Sequence, residues 1–154
     1  MKLADLICFD AAIAQLEATD RDGVIGELAE SLDKGGHLGK AKCSDIIEAV
    51  IKRENEASTG IGKGVAVPHV KHDDVKDVVA VVGLSRDGID FTSLDKQPAY
   101  TVILLVSPTS DPDKHLQAME KIFRNLQKDD FRKFLRQAQT AKEIKEEKGE
   151  LSTF

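Results

Sequence analysis

The sequence has no apolar stretch long enough to cross a membrane: its longest pure runs, such as Val102 to Val106, fall far short of the roughly 20 residues a helical span needs. No direct membrane insertion is expected. The opening MKLADLICFD carries Asp5 and Asp10 and lacks both an apolar core and a small-residue cleavage site. It therefore does not read as a secretory signal, and a cytoplasmic location is expected. Cysteine is scarce, and Cys8 and Cys43 lie far apart without a CxxC spacing. That pattern argues against a disulfide framework or a thiolate metal site and predicts buried, reduced thiols. A basic excess is also missing, the formal charge being −5, so nucleic acid is not an expected partner. No internal repeat, low-complexity tract or linker rich in Gly, Pro or Ser divides the chain.

What remains is ordinary globular composition, 41% hydrophobic and 32% charged over 154 residues, enough for one domain with a substantial core. The expected domain spans residues 1–154, with a polar tail from about residue 147. Val24, Ile25, Leu28, Ala29 and Leu32 recur at helical spacing after Asp22, and Gly35 and Gly36 act as a stop. A second helix is expected behind Ser44, carrying Ile46, Ile47, Val50 and Ile51 and ending near Glu54. The period then changes. Val65, Ala66 and Val67 read as a short strand cut off by Pro68. Val78 to Leu84 and Tyr100 to Val106 read as strands covered on both faces, because they are nearly continuous in apolar residues. Between them, Asp87 and Gly88 mark a turn and Leu94 to Pro98 a loop.

The last third is helical in pattern. Asp111 can cap a helix with Pro112 at its first position and a stripe of Leu116, Met119, Ile122, Phe123 and Leu126. Asp129 can cap another, and Thr140 with Glu143 forms a capping box for a final charged helix. Helices on either side of a block of buried strands predict an α/β fold, a three-layer α/β/α sandwich around a mixed central sheet.

The unusual chemistry is concentrated in STGIGKGVAVPHVK, residues 58–71. Gly60, Gly62 and Gly64 leave backbone amides unshielded, as an anion cradle requires. His69 follows a proline at a strand end, and a neutral imidazole is a nucleophile near physiological pH. A Walker-type loop built on Gly62-Lys63 would need glycine at 57 and Ser or Thr at 64, where Ala57 and Gly64 stand. A dinucleotide fingerprint on Gly60 and Gly62 fails because Val65 begins a strand rather than a helix. A metal site on His69 and His72 would need a helix that Pro68 opposes, so no metal and no cofactor is expected. Taken singly, His115 reads as a half-buried helix residue, and Arg53 and Lys63 as solvated cations.

Arg53 to His69, RENEASTGIGKGVAVPH, resembles the signature of the type-2 IIA domains of the bacterial phosphotransferase system, the mannitol, fructose and nitrogen-regulatory class. That pattern is Arg-Glu, a spacer, Ser/Thr-Gly-Ile/Val-Gly, an apolar strand and Pro-His. The resemblance implies a phosphohistidine carrier. His69 would take a phosphoryl group from the carrier protein HPr and pass it to a IIB domain, or use it as a regulatory switch toward a target protein. Arg53 and His115 would support the phosphoryl group, and Thr59, Gly60, Gly62 and Lys63 would bind it. The alternatives are a dedicated fructose or mannitol uptake component and a non-catalytic regulatory module of the same fold. An additional short strand near Ile13 to Glu17 is implied by the resemblance. Val70 stands where a small residue commonly follows the family's histidine, and Lys63 where a neutral polar residue is common. Oligomeric state stays open.

Overall fold

The computed structural model describes residues 2–138; the expected Thr140–Glu143 capping box, the charged helix and the polar tail lie outside them. A short helix α1 (Leu3–Leu6) and a single 3-10 turn (Phe9–Ala11) lead into two longer helices, α2 (Arg21–Lys34) and α3 (Cys43–Glu56). Five strands follow, β1 (Gly60–Gly62), β2 (Val65–Ala66), β3 (His69–His72), β4 (Val79–Ile89) and β5 (Ala99–Pro108), then α4 (Pro112–Leu126) and α5 (Asp129–Gln137).

β5 lies at the centre of the sheet. It pairs antiparallel with β4 on one side and parallel with β2 and β3 on the other, while β1 folds back antiparallel on β2, so the sheet is mixed. β2 stops ahead of Pro68, as expected, but the chain resumes directly beyond it as β3 in the same line. Val65 faces Thr101 and His69 faces Leu105 with the same offset, so one line of chain runs through Val67 and Pro68. Pro68 removes only its own N–H from the ladder, and its carbonyl still accepts from the Leu105 amide at 3.0 Å.

Side chains alternate across β5. Ile103 and Leu105 join α1, α4 and α5 in one apolar cluster, whereas Val102, Leu104 and Val106 join α2 and α3 in another. Two cores on opposite faces make the three layers, which explains why Val102 to Val106 carries no polar alternation. Each fully buried Leu or Ile contributes about 1.5–3 kcal/mol.

Several boundaries differ from expectation for local reasons. Asp20, not Asp22, caps α2, accepting from the Gly23 amide at 2.7 Å. α3 begins at Cys43, ahead of Ser44, without a side-chain cap. Asp87 and Gly88 lie inside β4, at a register irregularity between Leu84 and Ile89 rather than in a connecting turn; Gly88 there has φ +88°. Near the chain start only Ile7 and Ile13 form isolated bridges with β4, although the amides of Cys8, Ile13 and Leu16 all donate to its edge. That segment covers an edge that would otherwise expose unpaired backbone. Cys8 and Cys43 are free but half-buried rather than fully buried, and burial pushes the Cys8 thiol up to about 11.

Asp111 caps α4 as predicted, accepting from the Lys114 amide. The inward face is rotated from the predicted stripe: Leu116 is 59% exposed while His115 is 8% exposed. His115, Ala118, Ile122 and Asn125 face inward together because successive helical residues are about 100° apart. α5 starts at Asp129 itself, with Lys128 in the cap position.

Candidate functional site

Where β3 begins, the His69 ring folds back on its own strand. Its Nδ1 lies 2.9 Å from the Val67 carbonyl oxygen. A carbonyl only accepts, so Nδ1 carries the ring proton and Nε2 keeps the lone pair. The ring is half-buried. Burial lowers its pKa below the ordinary 6.5, and the positive charges of Arg53 and Lys71 push the same way, against the Val67 hydrogen bond and the Glu54 carboxylate. Both effects keep the imidazole neutral, the form that attacks an electrophile.

Helix α4 brings a second imidazole to the first. The ring centroids of His69 and His115 are 5.8 Å apart, with planes inclined by 48°. His115 Nδ1 sits 2.7 Å from the hydroxyl of Ser107 on β5. Its pKa falls to about 4, first through burial and then through the charges of His69 and Lys71. At neutral pH it is an uncharged ring that still has one N–H to donate.

Arg53 and Glu54, in the last turn of α3, lie close enough for their charges to act on the His69 ring. Arg53 donates from Nη1 to the Ala57 carbonyl at 2.9 Å. That bond uses one of the five guanidinium N–H groups. Glu54 turns inward and is 3% exposed. Its carboxylate accepts from the Thr59 amide at 3.1 Å and from the Thr59 hydroxyl. The chain between α3 and the sheet is thereby tied at both ends of a short loop.

Several donors in the glycine-rich segment already have partners within the fold. Both donors of Thr59 are engaged by Glu54. The Gly60 amide donates to the Ser58 hydroxyl at 3.0 Å and the Lys63 amide to Asp95 at 3.0 Å. Gly62 has φ +91° and Lys63 φ +58°, so these two residues turn the β1–β2 hairpin. The Tyr100 amide bonds the Gly64 carbonyl, whereas His69 pairs at Leu105, which puts the hairpin roughly 15 Å along the sheet from the imidazole. The structure therefore gathers His69, His115 and Arg53, and leaves Gly62 and Lys63 elsewhere.

Three contributors escaped the sequence: Ser107, the Val67 carbonyl, and the Lys71 charge. Ser107 had one legible sign, a hydroxyl directly after the apolar run Val102 to Val106. No group of three His, Cys, Asp or Glu among the described residues lies close enough to hold a metal ion. No described helix is long and apolar enough to cross a membrane.

The family model for "Phosphoenolpyruvate-dependent sugar phosphotransferase system, EIIA 2" matches residues 9–147. The chain belongs to this family. As a type-2 IIA chain it is a phosphotransferase component of that system. A fructose-specific EIIABC component from Bacillus subtilis is 34% identical over 91% of the chain, which spans only 22% of that relative's length. A fructose-specific EIIA component from Haloferax volcanii is 31% identical over 79% of each chain. A nitrogen regulatory protein from Bradyrhizobium diazoefficiens is 31% identical over 94% of this chain and 92% of its own. Among solved structures, the nitrogen regulatory protein IIA-Ntr of Neisseria meningitidis superposes with TM-score 0.85 at 22% identity, covering 97% of this chain and 98% of that one. The IIA mannitol protein of Escherichia coli in complex with phosphorylated IIB superposes with TM-score 0.74 at 20% identity, covering 92% and 95%. At those identities the structural likeness shows the fold, a mixed sheet with helices on both sides.

Proposed function

We propose that His69 is the phosphoryl acceptor, taking the group on Nε2 from the phosphohistidine of an HPr-type carrier in the cytoplasm and passing it to a IIB domain or displaying it to a regulatory target. The observation that carries this reading is the fixed proton on Nδ1, which leaves Nε2 of a neutral, half-exposed ring free to attack. In the transfer the bond from phosphorus to the donor ring nitrogen breaks as the bond to Nε2 forms, and the electron pair returns to the donor ring. The Val67 carbonyl then faces the positive N–H that the phosphorylated ring acquires. With the Ser107 hydroxyl donating to His115 Nδ1, the ring N–H on Nε2 and the Arg53 guanidinium offset charge on the phosphoryl oxygens. Positioning and charge dispersal are what this chemistry asks of a protein.

Incubation with phospho-HPr tests it: the protein should gain about 80 Da in an acid-labile adduct, the mass of one phosphoryl group, and His69→Ala should gain none. An equal adduct on both proteins would defeat the assignment.

Relatives named for fructose transport and for nitrogen regulation match at similar identity, 34% and 31%. Both outlets therefore belong to the proposal. In the regulatory outlet the signal is the added charge, close to −2, at the surface around His69. Transfer to a IIB domain marks the first outlet, and phosphorylation-dependent capture of a signalling protein without such transfer marks the second.

A further inference from the structure

The hairpin that carries Lys63 away from His69 delivers it to a second concentration of charge. Lys63, Arg132, Lys133 and Arg136 line one cavity of about 510 Å³ together with Gly64 and Tyr100. Its single carboxylate, Asp129, is already paired with Arg132. Among the described residues no carboxylate forms an ion pair with Lys63, Lys133 or Arg136. Among the described residues, three cations without an ion-pair partner thus share one hollow, in a chain of net charge −5. Like charges held together repel, and a bound anion relieves that repulsion.

The floor of this cavity is closely packed. A Cβ on Gly64 would meet the Tyr100 ring at 3.2 Å, and one on Gly88 would meet it at 3.1 Å, so the two glycines admit the ring between them. The Arg136 guanidinium lies over the ring, 3.9 Å from its centroid. Stacking in this way holds a guanidinium in place while leaving its N–H edge available for an anion. Lys63 is held at φ +58° with its amide bonded to Asp95, which fixes the point from which its side chain leaves the hairpin.

We propose that the cavity framed by Lys63, Tyr100, Lys133 and Arg136 binds a small organic phosphate, as an anion site separate from the centre at His69. Three free cations call for a ligand with more than one negative charge, and a phosphomonoester carries close to two at neutral pH. The guanidinium fork of Arg136 matches phosphate oxygens, and the lysines supply point charges. A volume of about 510 Å³ is in the range of small-molecule pockets and much larger than inorganic phosphate requires. The organic part of the ligand fills the remainder against Tyr100 and Val65.

The test is an amide-NMR titration of the full chain with glucose 6-phosphate, AMP, glucose and inorganic phosphate, repeated on the His69→Ala variant. Glucose 6-phosphate or AMP should shift the amides of Lys63, Gly64, Tyr100 and Lys133 saturably, equally in both proteins. Which of the two binds tells whether the organic part is a polyol or a base. Glucose should cause no shift and inorganic phosphate should bind more weakly. Lys63→Asn, which tolerates a positive φ, and Arg136→Gln should each weaken binding roughly tenfold while the protein stays folded. No saturable shift with either ester overturns the proposal. So does a shift centred on His69, or binding of inorganic phosphate as tight as that of the esters. Because His69 is absent from one arm, failure of the phosphoryl-acceptor reading leaves this outcome readable on its own.

Discussion

The Nδ1 of His69 and the carbonyl oxygen of Val67, two residues apart in one strand line, are bonded at 2.9 Å. This bond chooses the tautomer and therefore the reactive nitrogen. In 15N NMR at neutral pH, His69 is expected as the Nδ1–H form, and the phosphorylated protein is expected to carry phosphorus on Nε2. Phosphorus found on Nδ1 would contradict the role given to Val67.

The acceptor should stay active in mildly acidic solution. Burial and the Arg53 and Lys71 charges hold the His69 pKa below 6.5, so the neutral ring persists at pH values where a free histidine is already half protonated. Rates of phosphoryl acceptance followed from pH 8 downward should therefore begin to fall only below about pH 6.5, the unperturbed imidazole value. A midpoint at or above that value would show the environment acting in the opposite sense.

Stability should follow pH with a matching sign. His115 has a folded-state pKa of about 4 against 6.5, so between those values the unfolded chain binds more protons than the folded one. Its contribution is fully present above pH 6.5 and is lost progressively as pH falls toward 4. The urea midpoint should decline over that window, and the His115→Gln variant should decline less steeply. Identical slopes would place the pH sensitivity elsewhere.

Ser107 is the hydrogen-bond partner of His115. It is fully buried, and its hydroxyl lies 2.7 Å from the ring Nδ1. Ser107→Ala should cost about 1 kcal/mol of stability. It should also slow phosphoryl transfer by about 10- to 100-fold through misplacement of the ring. Ser107→Thr, which keeps the hydroxyl, should recover most of the rate. A change in stability with no change in rate or in the His115 15N shifts would reduce Ser107 to a packing role.

The loop after α3 should be sensitive to small changes. Glu54→Ala leaves the Thr59 amide and hydroxyl without their acceptor in a site 3% and 6% exposed, an expected loss of about 2–3 kcal/mol. At Gly60 an added Cβ would stand 2.3 Å from the Ser93 hydroxyl oxygen and 3.0 Å from its Cα. Gly60→Ala should therefore cost about 1–3 kcal/mol by overpacking, read from denaturant midpoints. If Gly60→Ala unfolds like the parent but fails to take up phosphate, the glycine serves the anion after all.

The layers were legible in the sequence because β5 states them directly: Val102 to Val106 is apolar at every position, and only a strand buried on both faces requires that. The nearness of His69 and His115 was implied by a family pattern rather than by spacing, since 46 residues separate the two histidines. The direction in which α4 turns was not. Leu116 and His115 are neighbours in sequence, and the apolar side chain is the exposed one because the polar ring finds Ser107 across the interface. Periodicity ranks residues by polarity and does not foresee a buried hydrogen bond. The glycine-rich segment shows the same limit: Glu54, Ser58 and Asp95 accept from the Thr59, Gly60 and Lys63 amides, donors that a linear reading leaves free.

β5 holds the pairing partner of His69 at Leu105 and, two residues on, the hydroxyl that meets His115. Both imidazoles are thus referenced to one interior strand, His69 by backbone pairing and His115 by the Ser107 hydroxyl two residues further on. Parting them requires α4 to lift from β5 or β3 to leave it. Heat inactivation and global melting should then be a single event, and a protein that still gives a native spectrum should still have its two rings in register.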